Sequence, residues 1–121
     1  MKQVEIGVGS LKQGLAEFVR VWRQIEGGER VREATPRVNF ASLATLLSAL
    51  TPKRLELLDA VAAKPGLTIR GLATQLDRNY KNVHTDVSAL TELGLIERGA
   101  DGLLSAPYDE LLIRAPLKAG T

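Results

Sequence analysis

Between Thr68 and Gly102 the hydrophobic period of the sequence changes, and that change limits what the chain can fold into. Ile69, Leu72, Ala73 and Leu76 recur at helical spacing. Asp77-Arg78 interrupts the pattern as a tight turn. Val83, Val87 and Leu90 then resume it in a helix predicted from about Asn79 to Leu93. Asn79 is placed to cap that helix, and Gly94 to terminate it. Beyond Gly94 the period shortens. Leu95-Ile96 reads as a strand, Gly99-Ala100-Asp101-Gly102 as a hairpin turn, and Leu103-Leu104 as the returning strand.

Two further helices precede this block. Leu43, Leu46, Leu47 and Leu50 give a short one with a leucine-rich face. Thr51-Pro52 opens the next, with threonine as N-cap and proline at the first helical position, where its missing N–H costs nothing. Leu55, Leu58, Val61 and Ala62 are its expected buried face, and Lys64-Pro65-Gly66 its end. The resulting order is helix, helix, helix–turn–helix, strand, turn, strand, which is the order of a winged helix-turn-helix.

The stretch from Leu50 to Val61 and the stretch from Leu67 to Arg98 together resemble the MarR/ArsR-type winged-helix transcriptional regulators of bacteria and archaea. The residues that carry the likeness are Val87, Leu90, Gly94, Leu95, Ile96 and Arg98, at the end of the recognition helix and the start of the wing. Pro107-Tyr108-Asp109-Glu110 and the strand-like tail look closer to a smaller group of prokaryotic regulators, some of them antitoxin-like and encoded beside toxin genes. The resemblance spans about Ser42 to Ile113. It implies duplex DNA as partner, a homodimer, and in the antitoxin-like case a cognate toxin.

The first two turns of the helix that starts at Asn79 are crowded with polar side chains. At roughly 100° per residue, Lys81, Thr85, Ser88 and Glu92 lie opposite Val83, Val87 and Leu90, with Asn82 and His84 at the flanks. A recognition helix reads base edges with its N-terminal end. Asn pairs with adenine, Lys donates to guanine, and the Thr methyl touches thymine. The expected DNA-contacting residues are therefore Arg70, Arg78, Asn79, Tyr80, Lys81, Asn82, His84, Thr85, Ser88 and Arg98. Free N–H groups at the start of the helix are further candidates to meet a phosphate. Lys53 is one more candidate phosphate contact. Tyr80 is placed near the core edge by its position on the wheel. Asp86 also falls near the core edge, where an arginine would be its natural partner. The competing account of this face is a plain solvated helix surface.

Composition bounds the rest. A chain of 121 residues with 45% apolar residues can build one core, filled by aliphatic side chains because aromatics are 4%. The net charge of +2 permits a nucleic-acid partner without requiring one. With no cysteine there is no disulfide framework and no thiolate chemistry. The one histidine, His84, has no orienting carboxylate or nucleophile in the pattern, so no enzyme, metal or cofactor is expected. No secretory leader or membrane span is read, so a cytoplasmic location is expected.

The N-terminal forty residues stand apart. Val4, Ile6 and Val8 alternate as a strand. Ser10-Leu11-Lys12-Gln13 forms a capping box before a helix to Glu26, with Phe18 and Trp22 on its apolar face. Five arginines there (Arg20, Arg23, Arg30, Arg32 and Arg37) are interleaved with glutamates. Gly7 to Lys12 lacks the third glycine of a dinucleotide fingerprint and is taken as a strand-to-helix turn. Val38 and Phe40 suggest a second strand, and the tail at Leu111 to Ala115 could pair with the first. The fold expected is mainly α with small β: a strand–helix–strand extension over 1–40, offering a dimer or partner surface, and a winged helix-turn-helix over 41–121. The function expected is a sequence-specific double-stranded DNA-binding transcriptional regulator, a repressor in type. The alternative is a winged-helix protein–protein module or an antitoxin that binds its toxin.

Overall fold

The structure is a computed structural model, and it describes residues 2–9 and 36–117. The elements are β1 (Gln3–Val8), β2 (Arg37–Phe40), α1 (Leu43–Ala49), α2 (Pro52–Ala63), α3 (Ile69–Leu76), α4 (Tyr80–Glu92), β3 (Glu97–Arg98), β4 (Leu104–Ser105) and β5 (Glu110–Arg114). The chain divides into two compact units, one built on residues 47–110 together with the N-terminal pair, the other on 3–46 and 111–121. The expected split at 40/41 left the tail with the winged helix. β5 lies beside β1 in the sheet. The helix expected over Ser10–Glu26, with its capping box, its Phe18 and Trp22 face and most of the arginines, lies outside the described residues.

In the larger unit each helix starts at a side-chain cap. Thr51 Oγ1 accepts from the Arg54 amide at 3.2 Å and Thr68 Oγ1 from Gly71 at 3.0 Å. Asn79 Oδ1 accepts from both Lys81 and Asn82. Such caps satisfy amides that the helix itself leaves open. α3 and α4 also end alike. At α3, the Arg78 amide donates to Ala73 and the Asp77 amide to Thr74; at α4, Leu95 donates to Leu90 and Gly94 to Thr91. This is the Schellman arrangement, which needs a left-handed residue after the helix. Gly94 adopts it at φ 78°, and at the helix-turn-helix corner Asp77 does so at φ 52°. An aspartate tolerates that conformation better than most residues with a Cβ.

Leu57, Leu58 and Val61 of α2, Ile69, Leu72 and Ala73 of α3, and Val83, Val87 and Leu90 of α4 form the core of this unit, with Leu50, Leu95, Ile96 and Leu104. The α2 face differs from expectation: Leu57 is buried, Leu55 is half-buried and Ala62 is exposed. The buried stripe runs 54-57-58-61 at helical spacing. Its first position is a half-buried arginine, Arg54, so the apolar pattern alone shifts the reading.

The hairpin is also displaced from the reading. Leu95 and Ile96 are buried but not in strand; β3 is Glu97–Arg98, pairing antiparallel with β4 through Glu97↔Ser105 and Arg98↔Leu104. The Leu95 amide is taken by the helix end and is not available to a ladder. Leu104 additionally bridges Leu67, with Leu104 donating to Leu67 and Gly66 donating to Leu104, both at 2.9 Å.

The second unit contains a three-stranded sheet of order β2-β1-β5. β1 and β2 are parallel, in the register Glu5↔Arg37 to Val8↔Phe40. Val4 and Ile6 are buried on one side of the alternation, with Phe40 and Leu46. The strands read at Val4–Val8, Val38–Phe40 and the tail are all present, and the tail pairs with the first strand as expected.

Candidate nucleic-acid interface

α4 turns Val83, Val87 and Leu90 inward and leaves Tyr80, Lys81, Asn82, His84, Thr85, Ser88 and Glu92 exposed. The polar face expected on the outside is therefore on the outside. Lys81, Asn82, His84, Thr85 and Ser88 occupy its first two and a half turns. The Thr85 hydroxyl donates back to the Lys81 carbonyl at 3.1 Å, which leaves its methyl and lone pairs to the surroundings.

Arg78 departs from the expected arrangement. Its side chain is 17% exposed and its Nη2 donates to Asp86 Oδ2 at 2.8 Å. Arg54 Nε donates to the other oxygen of Asp86 at 3.1 Å, and Arg54 Nη1 reaches the Ala49 carbonyl at 3.0 Å. One carboxylate of α4 thus binds the start of α2 and the helix-turn-helix corner together. The expected pairing of Asp86 with an arginine is present, twice over. Arg78 is half-buried, and while bound to Asp86 it lines the open groove that Arg70 and Tyr80 also line. Arg54 was missed as a partner, because nothing in spacing links α2 to a position 32 residues on.

Asn79 is likewise occupied as the cap of α4. Its oxygen already holds two of the N–H groups that the sequence offered to a phosphate. Tyr80 lies off the core edge, 45% exposed. Arg70, at the second position of α3, places its Cζ 5.2 Å from the Tyr80 ring centroid. The His84 ring follows at 6.1 Å from Tyr80 with a 50° tilt. Arg70 and Tyr80 line a shallow open groove at the helix-turn-helix corner together with Thr74, Asp77 and Asn79. Arg98 is exposed at the base of the hairpin, in a second open groove with Thr91, Glu97 and Ser105. Lys53 is exposed in the first turn of α2. Among the described residues no group of three or more acidic, histidine or cysteine side chains is placed to hold a metal. Among the same residues no helix is long and apolar enough to cross a membrane.

A model of the HVO_A0114 family matches residues 49–113. A stretch of 48 residues, 40% of this chain, is 33% identical to a probable HTH-type transcriptional regulator, ArcR, of Halobacterium salinarum. That stretch is 18% of the ArcR protein, so the chain spans less than a fifth of that relative's length. The crystal structure of a multiple antibiotic-resistance repressor, MarR, of Listeria monocytogenes superposes over 80% of this chain and 64% of that one. Its TM-score is 0.46 and its identity 18%.

Proposed function

The chain belongs to the HVO_A0114 family, and we propose that it is a double-stranded DNA-binding transcriptional regulator, a repressor in type. The observation that carries this reading is the outward face of α4, where Lys81, Asn82, His84, Thr85 and Ser88 stand exposed directly after a helix-turn-helix corner. In this reading α4 enters the major groove and these side chains meet base edges. Arg70, Tyr80 and the capped N-terminus at Asn79 lie at the groove rim, and Arg98 meets the backbone beside the hairpin. Arg78 acts through Asp86, holding the angle at which α4 is presented. The name of the ArcR relative is in keeping with this role.

A homodimer is part of the proposal. One recognition helix gives weak affinity, and two half-sites joined in one complex multiply it. The exposed Leu43 and Leu47, one turn apart on α1, are apolar surface suited to such an interface.

The test is fluorescence anisotropy with the duplex upstream of the protein's own gene, titrated with salt. A regulator that neutralises about four phosphates loses affinity with a log–log slope near roughly −3.6, since each contact contributes about −0.9. Derepression of that gene on deletion would identify a repressor. Absence of binding to that duplex or to mixed genomic duplex at low salt would replace this reading with the protein-docking one, in which the same helices bind a larger assembly or a toxin.

A further inference from the structure

Resting on the DNA-binding reading, we infer that Arg70 is a specificity-determining residue, held over the ring of Tyr80 to read a guanine at the edge of the site contacted by α4. Six arginines fall among the described residues. Arg37, Arg54, Arg78 and Arg114 each lie within ion-pair distance of a carboxylate. Arg70 and Arg98 have no carboxylate partner among the described residues, and Asp77, which shares the groove of Arg70, forms no ion pair with it. What Arg70 has instead is the face of Tyr80, with its Cζ 5.2 Å from the ring centroid.

That contact constrains the guanidinium differently from an ion pair. A cation–π contact sets the charge over the ring without using an N–H hydrogen bond, so the donors of the fork stay available. A carboxylate would occupy that edge. The aromatic surface is itself braced, because His84 packs one helical turn along at 6.1 Å from Tyr80. An exposed arginine that is already oriented needs less ordering when it binds. Its fork matches the O6 and N7 acceptors of guanine, which is the commonest arginine contact in the major groove.

Position agrees with chemistry. Arg70 is the second residue of α3 and Tyr80 the first of α4, so the pair stands beside the N-terminal end of the recognition helix, the end that reads base edges. A lysine at position 70 would keep the charge for a phosphate but not the fork or the flat stacking surface.

The test is selection from a randomised duplex library, run in parallel with the full-length wild type, Arg70→Lys and Tyr80→Leu. Circular dichroism and melting confirm the fold of each variant. The wild type should enrich a consensus containing guanine at the outer edge of each half-site. Replacing that base by 7-deazaguanine, which lacks N7, should weaken wild-type binding roughly tenfold. Arg70→Lys, with one ammonium in place of the two-pronged fork, should weaken the preference at that one position and keep the salt slope. Tyr80→Leu should lose part of the preference. A consensus unchanged in Arg70→Lys would overturn the inference and leave DNA binding intact. So would an Arg70→Ala variant that weakens every duplex equally and lowers the salt slope by about one, which marks a phosphate contact. If the wild type enriches no sequence, the DNA-reading proposal and this inference fall together.

Discussion

The two units each contain one carboxylate between two arginines, and the two clusters are not equivalent. Asp86 is 14% exposed and receives N–H donors at 2.8 and 3.1 Å from arginines that are themselves mostly covered. Glu5 stands between Arg37 at 3.6 Å and Arg114 at 3.9 Å, and Arg114 is 78% exposed. The ingredients match; the solvent does not. Where water reaches the partner, it screens the charge and the long side chain keeps its freedom, so the pair contributes little. Where the three groups are enclosed and bonded, removing the central charge leaves two guanidiniums facing each other without compensation. The first cluster sets the geometry of the helices. The second decorates a sheet whose register is already fixed by backbone pairing.

That contrast can be broken by substitution. Asp86→Ala should have the largest effect, a loss of about 3 kcal/mol in unfolding free energy by urea titration; a loss below about 1 kcal/mol would make the two clusters alike. Asn79→Ala removes the acceptor of two helix-start amides and should cost about 1 kcal/mol by the same measurement, which separates capping from the ion cluster at the same corner. Glu5→Ala should cost about 0.5 kcal/mol or less, and a cost like that of Asp86→Ala would erase the distinction. The smallest change in stability, within about 0.5 kcal/mol, is expected for Lys81→Ala and Asn82→Ala. These lie on the same helix as Asp86 but on its open side. They should nonetheless weaken duplex binding about tenfold in anisotropy titrations. Unaltered affinity in both would show that the exposed face is ordinary surface.

The helices were legible because their evidence is local. Caps at Thr51 and Asn79, the terminator at Gly94 and the 83-87-90 stripe each sit within a few residues of what they determine. The sheet ends were less legible. Leu95-Ile96 has strand character, yet the helix-ending bond from the Leu95 amide delays the ladder to Glu97. The parallel pairing of β1 with β2 was not read, since alternation gives a strand but not its direction. The outer face of α4 followed from periodicity alone. What periodicity could not supply was the pairing of side chains between elements. It offers Arg78 to a ligand without showing the bond that also joins it to Asp86 eight residues on. It set Tyr80 at the core edge, whereas the ring rests against Arg70 from another helix.

The bridge between Leu104 and Leu67 carries a mechanical corollary. The hairpin's return strand is stitched to the two residues just ahead of the Thr68 cap, so it behaves as a lever whose fulcrum is the root of α3. A load on the hairpin tip would reach that root through β4 and the end of α4 through β3. The Gly66 and Leu104 amides should therefore exchange with solvent in step, as one latch opening.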